Sequence, residues 1–376
     1  MKKIYLDNQS TTQLDPEIME LMIPYFLTKF GNSSSKTHSY GWEAEAAVDL
    51  SRKKISDLIN SKPNEIIFTS GATESNNIAL ATILKSTKTN ILTCLTEHRA
   101  ILDICNNYDT KGIKTKYLKI SNDGNLDLNT IENNIDYNTH MISLMHVNNE
   151  IGTIHPIKKI GDICKKHNIL FHVDAAQSLG KIPIDVRKMN IDFMSFSSHK
   201  IYGPKGIGAL FINNMHKNKI SPISFGGGQE NGYRPGTLPV PLIIGFGEAC
   251  KKANSIMLNE SKKIRGMRDT LLNKIKNEIP NLVINGSMKN RLDGNLNLSF
   301  PSLKGQSIVT SIPIVAISSG SACTSSIPKP SHVLKAIGLN NNLCNSSIRI
   351  GIGRFNTLEE INVAADAIIK AIKMKS

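Results

Sequence analysis

Long apolar runs, paired cysteines and a single block of charge are all missing from this chain of 376 residues. No hydrophobic stretch approaches the roughly 18 residues of a membrane span, so no membrane role is expected. The start, Met1-Lys2-Lys3-Ile4-Tyr5-Leu6-Asp7, has two lysines and no apolar segment behind them, so no secretory signal is read there. Six cysteines (Cys94, Cys105, Cys164, Cys250, Cys323 and Cys344) are scattered without a C-x-x-C pair or zinc spacing. That usage suits a reducing cytoplasm and argues against a disulfide scaffold or a structural metal site. Internal repeats and long linkers are also absent.

What is present is an ordinary soluble composition, 40% hydrophobic and 20% charged, with a formal net charge of +14. At about 150 residues per domain the length predicts two domains. The lysines are spread through an Asn/Ile/Lys-rich sequence and form no basic run. They read as solvated side chains, and a nucleic-acid partner stays open but unsupported.

Strand and helix signals alternate, which predicts an α/β fold. Apolar or small residues at Ala44, Ala47, Val48, Ser51, Ile55, Leu58 and Ile59 form a helical stripe. Strands are expected at Ile66–Thr69, Asn90–Thr93, Met141–Val147, Ile169–Val173, Ile191–Phe196 and Ile207–Phe211, with helices at Thr73–Leu84 and around Ile157–Cys164. Strands this apolar imply a mostly parallel sheet covered on both faces. After about Lys251 the pattern changes. A charged helix is expected over Lys252–Lys276. Short strands follow at Leu282–Ile284, Leu296–Phe300, Ile312–Ile317 and Ser347–Ile350, and a last helix opens on the capping box Thr357-Leu358-Glu359-Glu360. The expected division is a large domain over residues 14–255 and a smaller α+β domain from residues 1–13 and 256–376.

Chemistry gathers where strands end. Phe196-Ser197-Ser198-His199-Lys200 closes the strand Ile191–Phe196, and a partly desolvated lysine there suits a Schiff base with an aldehyde cofactor. Taken alone it would read as a solvated lysine. Lys205, farther from the strand end, is the competing candidate and ranks below it. Thr69-Ser70-Gly71-Ala72-Thr73-Glu74-Ser75-Asn76 places small residues between a strand and a helix, where amides hold a phosphate. Ordinary N-capping would also explain those residues. His98 follows another strand, and a lone histidine there is usually structural. Asp174 ends an apolar strand, where a carboxylate is costly without a cation, and a protonated pyridine nitrogen supplies one. Together these residues describe a pyridoxal phosphate site.

Those segments, with Tyr5-Leu6-Asp7-Asn8, Met145-His146-Val147-Asn148-Asn149-Glu150-Ile151-Gly152, Gly226-Gly227-Gly228-Gln229-Glu230, Arg234-Pro235-Gly236-Thr237, Ser318-Ser319-Gly320-Ser321-Ala322-Cys323 and Ser347-Ile348-Arg349, closely resemble the cysteine desulfurases. These are class V members of the fold-type I pyridoxal phosphate enzymes, and the resemblance runs nearly end to end. It implies that Lys200 carries the cofactor and serves as base. Asp174 would pair with the pyridine nitrogen and Gln177 would approach the ring hydroxyl. His98 would stack on the ring and assist proton transfer. Ala72, Thr73, Ser197 and His199 would bind the phosphate, and Thr237 would reach the phosphate of a neighbouring subunit, implying a homodimer. Asn149 would lie near the ring hydroxyl and the substrate. Arg349 would clamp the substrate carboxylate, as a guanidinium fork does well.

Cys323 lies in a small, polar, Gly/Pro-bearing stretch that reads as a mobile loop, unlike Cys94 or Cys164 in apolar surroundings. The resemblance makes it the sulfur acceptor: L-cysteine becomes L-alanine and Cys323 carries a persulfide to an acceptor protein. No metal site is implied beyond transient ligation of an iron–sulfur cluster by Cys323 during transfer. Iron–sulfur assembly, tRNA thiolation and DNA phosphorothioation are the destinations left open. The chain stops soon after its last helix, whereas housekeeping relatives often continue with a docking extension, which puts that docking partner in doubt. A selenocysteine lyase, an aminotransferase and a non-catalytic interaction protein are the competing readings. Transamination would need no thiol at Cys323.

Overall fold

Apolar strands without a polar face need cover on both sides, and the surrounding helices give it. In the computed structural model, which describes residues 3–375 apart from 304, 306, 320 and 323–328, one sheet has seven strands. They are Ile66–Thr69 (β1), Asn90–Cys94 (β2), Lys114–Leu118 (β3), Thr139–Met145 (β4), Leu170–Asp174 (β5), Phe193–Ser197 (β6) and Gly208–Ile212 (β7). Their order is β1-β7-β6-β5-β4-β2-β3. Only the two pairings made by β7 are antiparallel, so the mostly parallel sheet expected from the sequence is what forms. Alternation along each strand splits the core. Ile66 and Phe68 face a cluster with Ile55, Phe171, Phe196 and Phe246, while Ile67 faces the opposite cluster with Ile91, Met141 and Leu210.

A second sheet is entirely antiparallel, in the order β10-β11-β9-β8, from Val283–Ile284 (β8), Asn295–Ser299 (β9), Ser318–Ser319 (β10) and Ser347–Gly351 (β11). The last helix, Leu358–Lys375, buries the expected stripe of Ile361, Ala364, Ala365, Ile368 and Ile372 against it. Its start is closed as the capping box requires, with the Glu360 N–H donating to Thr357 Oγ1 at 3.2 Å. Ile4 and Leu6 join this core from the far end of the chain.

The long helix is the main departure from expectation. It begins at Val240, twelve positions before the expected Lys252, and runs 39 residues to Glu278. Gly245 and Gly247 make its start look like loop, yet both are packing glycines. A Cβ on Gly247 would sit 2.7 Å from the Ser51 Cα. Phe246 and Cys250 of this helix enter the first core, and Met267, Leu271 and Ile275 enter the second, so one helix ties the two together. The expected strand at Ile312–Ile317 shrinks to Val315–Ala316. The helix Pro16–Leu27 and the edge strand β3 escaped the sequence reading. Among the described residues no helix is long and apolar enough to cross a membrane.

Candidate active site

The carboxyl ends of β5 and β6 lie side by side, with Asp174 opposite Ser195 in register. They open into a cavity of about 700 Å³. Its lining includes Ala72, Thr73, His98, Asn149, Asp174, Gln177, Ser197, His199, Lys200 and Arg349. Ten positions singled out in the sequence therefore converge on one space. Cys323 falls outside the described residues. Thr237 is exposed and does not line the cavity.

One wall is the turn after β1. The helix Ala72–Leu80 starts there with Gly71 as its N-cap, and no side chain caps it. Its first amides are the donors that a phosphate would take. The backbone of β7 presses on this turn: a Cβ at Gly208 would lie 2.4 Å from Phe196 O and 2.6 Å from Gly71 Cα. Only glycine lets the reversed strand close the cup. Lys205 and Gly206 stand at the same rim, adding a cation that the sequence reading had ranked only as a rival to Lys200. His199 Nδ1 is 3.0 Å from Thr11 Oγ1, and burial, with Lys200 and Lys205 nearby, pushes its pKa down to about 4. His199 is therefore neutral at ordinary pH.

The floor holds the carboxylate. Asp174 is buried, and its oxygens accept from Asn76 Nδ2 at 2.9 Å and from the Ala176 N–H at 2.9 Å. Among the described residues no cation pairs with it. Beside it, Gln177 donates through Nε2 to Gln9 O at 2.8 Å, while among the described residues its buried Oε1 has no partner. A buried carboxylate without a counter-ion calls for a cationic ring nitrogen, and an orphaned amide oxygen calls for a donor. Both needs match pyridoxal phosphate, as do the cup and Lys200.

Lys200 donates from Nζ to Gln9 O at 2.7 Å and Ser10 O at 2.6 Å. Burial and the Arg349 cation lower its pKa to about 8, against the opposing pull of Asp174 and Asp7. A lysine so poised has a useful neutral fraction near neutral pH, as Schiff-base formation requires. His98 caps the helix Arg99–Asp109, its Nδ1 accepting the Ala100 N–H at 3.1 Å. That contact places the proton of the neutral ring on Nε2. Burial lowers its pKa below the ordinary histidine value.

At the opposite edge Arg349 donates through Nη1 to Asn149 O at 3.2 Å, and through Nη2 to Asp7 Oδ1 at 2.9 Å and Ser10 Oγ at 2.6 Å. The segment Gln9–Thr11 was overlooked as cavity lining. Its signal was available, because Tyr5-Leu6-Asp7-Asn8 stands out as a motif just before it.

The class V aminotransferase model matches residues 4–363. The cysteine desulfurase IscS of Rickettsia felis is 49% identical over 98% of this chain and 91% of its own. The chain belongs to the cysteine desulfurase family. Among solved structures, a NifS-like protein superposes with a TM-score of 0.91 at 34% identity, covering 99% of this chain and all of that one. A structure described as SspA in complex with cysteine gives a TM-score of 0.83 at 36% identity over 94% of this chain and all of its own. The desulfurase is thus a pyridoxal phosphate-dependent enzyme of class V, and its fold is that of its relatives.

Proposed function

We propose that the cavity holds pyridoxal phosphate on Lys200 and converts L-cysteine to L-alanine, with Cys323 receiving the sulfur as a persulfide. The observation that carries this reading is the Asp174 carboxylate, buried on the cavity floor one strand from Lys200 and, among the described residues, in no ion pair. When bound, the cofactor supplies an aldehyde for the lysine and an electron sink for a carbanion at the substrate α-carbon. Lys200 supplies the neutral amine and takes the α-proton on Nζ. Asp174 balances the pyridinium charge, and Asn76 and the Ala176 amide hold its oxygens in place. His98 offers Nε2–H to the ring side of the cavity, while Ala72, Thr73, Ser197 and His199 take the phosphate. Arg349 and Asn149 receive the substrate carboxylate. The Cys323 thiolate attacks the substrate sulfur, the carbon–sulfur bond breaks toward carbon, and the sulfur stays on Cys323.

The same reading makes residues 14–255 the cofactor-bearing body and residues 1–13 with 256–376 its cap. It also makes the enzyme a homodimer in which Thr237 of one subunit completes the phosphate cup of the other; the support is that Thr237 is exposed and away from its own cavity. The sulfur acceptor is a protein, with iron–sulfur assembly the favoured destination and tRNA thiolation or DNA phosphorothioation the alternatives. A reducing cytoplasm fits six thiols in unpaired spacing. The test is incubation of the yellow purified protein with L-cysteine and a reductant. Alanine and sulfide released in equal amounts support the reading. A colourless protein that takes up no pyridoxal phosphate overturns it.

A further inference from the structure

The turn that carries Asn149 is gripped by residues standing side by side on the second sheet. Asn297 lies directly opposite Arg349 in the antiparallel pairing of β9 with β11, so their side chains share a face. Asn295, two positions along β9, shares it too. All three reach consecutive carbonyls of one turn. Arg349 Nη1 donates to Asn149 O at 3.2 Å, while Asn295 Nδ2 and Asn297 Nδ2 donate to Glu150 O at 3.1 and 3.2 Å. Asn148 closes the same turn from within: its Oδ1 accepts the Glu150 and Ile151 N–H groups, each at 2.9 Å.

The two asparagines are 0% exposed, and each is turned to donate by its other partner. Asn295 Oδ1 accepts from Arg291 Nη1 at 2.8 Å. A guanidinium can only donate, so the amide must present Nδ2 to Glu150. Arg291 is itself buried and, among the described residues, in no ion pair; its other bonds go to Ser287 O and Asn285 O. A buried cation without a carboxylate is a poor stabiliser, and what it does here is fix the sense of the Asn295 amide. Asn297 Oδ1 accepts from Asn285 Nδ2 at 2.7 Å, which likewise leaves Nδ2 for Glu150. Gly152, at φ +69°, permits the approach, because a Cβ there would lie 2.4 Å from Asn295 Oδ1.

We propose that Asn295 and Asn297 are positioning residues for substrate binding: by fixing the Glu150 carbonyl they set Asn149 against Arg349, and so the spacing of the two groups that receive the substrate carboxylate. Neither asparagine lines the cavity, so both act through the turn. The inference rests on the reading of Asn149 and Arg349 as the receiving pair.

The experiment uses the full-length holoenzyme and its Asn295→Asp, Asn297→Ala, Ser299→Ala and Arg349→Gln variants. The dissociation constant for L-alanine is read from the cofactor absorbance, beside KM and kcat for L-cysteine, pyridoxal phosphate affinity and melting temperature. Asn295→Asp keeps an acceptor for Arg291 and loses the donation to Glu150 O, so it holds the parent's melting temperature. The L-alanine constant and the KM each rise about fivefold or more in Asn295→Asp, with kcat and cofactor affinity within about twofold of the parent. Asn297→Ala, which adds no charge, moves them alike. Ser299→Ala, on the same buried face of β9 and bonded to Asn285 but not to the turn, lowers the melting temperature and leaves both constants unchanged. If Arg349→Gln raises both constants while Asn295→Asp and Asn297→Ala raise them no more than Ser299→Ala, the positioning role falls and the clamp stands. If Arg349→Gln changes neither constant, the clamp falls and the positioning role with it.

Discussion

Asn76 Nδ2 donates to Asp174 Oδ2 at 2.9 Å, joining the helix that forms the phosphate cup to the carboxylate beneath the ring site. Both residues are buried, and among the described residues Asn76 Oδ1 has no partner of its own. One amide thus sets the position of the group on which cofactor retention depends. Asn76→Ala leaves Asp174 with a single donor and weakens pyridoxal phosphate binding about tenfold, in line with a hydrogen bond to a buried charge. Titration of the apo-protein followed by absorbance gives the affinity. An unchanged dissociation constant would show that Asp174 needs no such support.

Lys200 makes a prediction with a sign. Its pKa is lowered to about 8 by burial and by Arg349, and Asp7 pulls the other way. Only the neutral amine attacks the aldehyde, so reconstitution of the apo-protein speeds up as pH rises through about 8. Arg349→Gln removes a neighbouring cation, favours the protonated amine and moves the midpoint up. Asp7→Asn removes a neighbouring anion and moves it down. Stopped-flow absorbance across a pH series reads both midpoints. Shifts in the same direction would contradict the assigned surroundings of Lys200.

Gly208 tests how the cup is closed. An added methyl group would meet the Phe196 carbonyl and the Gly71 Cα, both backbone atoms that cannot swing aside. Gly208→Ala therefore destabilises the protein by about 1–3 kcal/mol. It also loosens phosphate binding, because the relief available is a shift of the Gly71 turn. Thermal melting with and without pyridoxal phosphate separates the two effects. A variant as stable and as tightly loaded as the parent would show that this close approach does not shape the cup.

Cys323→Ala separates the cofactor from the sulfur chemistry. The variant keeps its yellow colour and still binds L-cysteine, but forms no persulfide and releases no sulfide. Mass spectrometry of the protein after one turnover finds no added sulfur. Undiminished sulfide release would remove Cys323 from its assigned role.

Much of this was legible because a parallel sheet writes its chemistry at strand ends. Asp174 ends the mostly apolar strand Leu170–Asp174, and Lys200 lies three residues past the mostly apolar strand Phe193–Ser197, so both strand and functional residue stand out. The N-terminal contribution did not stand out: Gln9–Thr11 belong to no strong periodicity and reach the cavity only through long-range packing. β3, Lys114-Thr115-Lys116-Tyr117-Leu118, is a partly exposed edge strand whose lysines hide its pattern. Gly245 and Gly247 masked the start of the long helix, because a packing glycine and a loop glycine look alike in sequence.

The most direct test of the central claim is to reduce the holoprotein with borohydride, digest it and locate the attached cofactor by mass spectrometry. The account predicts the pyridoxyl adduct on the peptide containing Lys200, and none on that peptide in Lys200→Ala. An adduct on Lys205, or no adduct on any lysine, would contradict it.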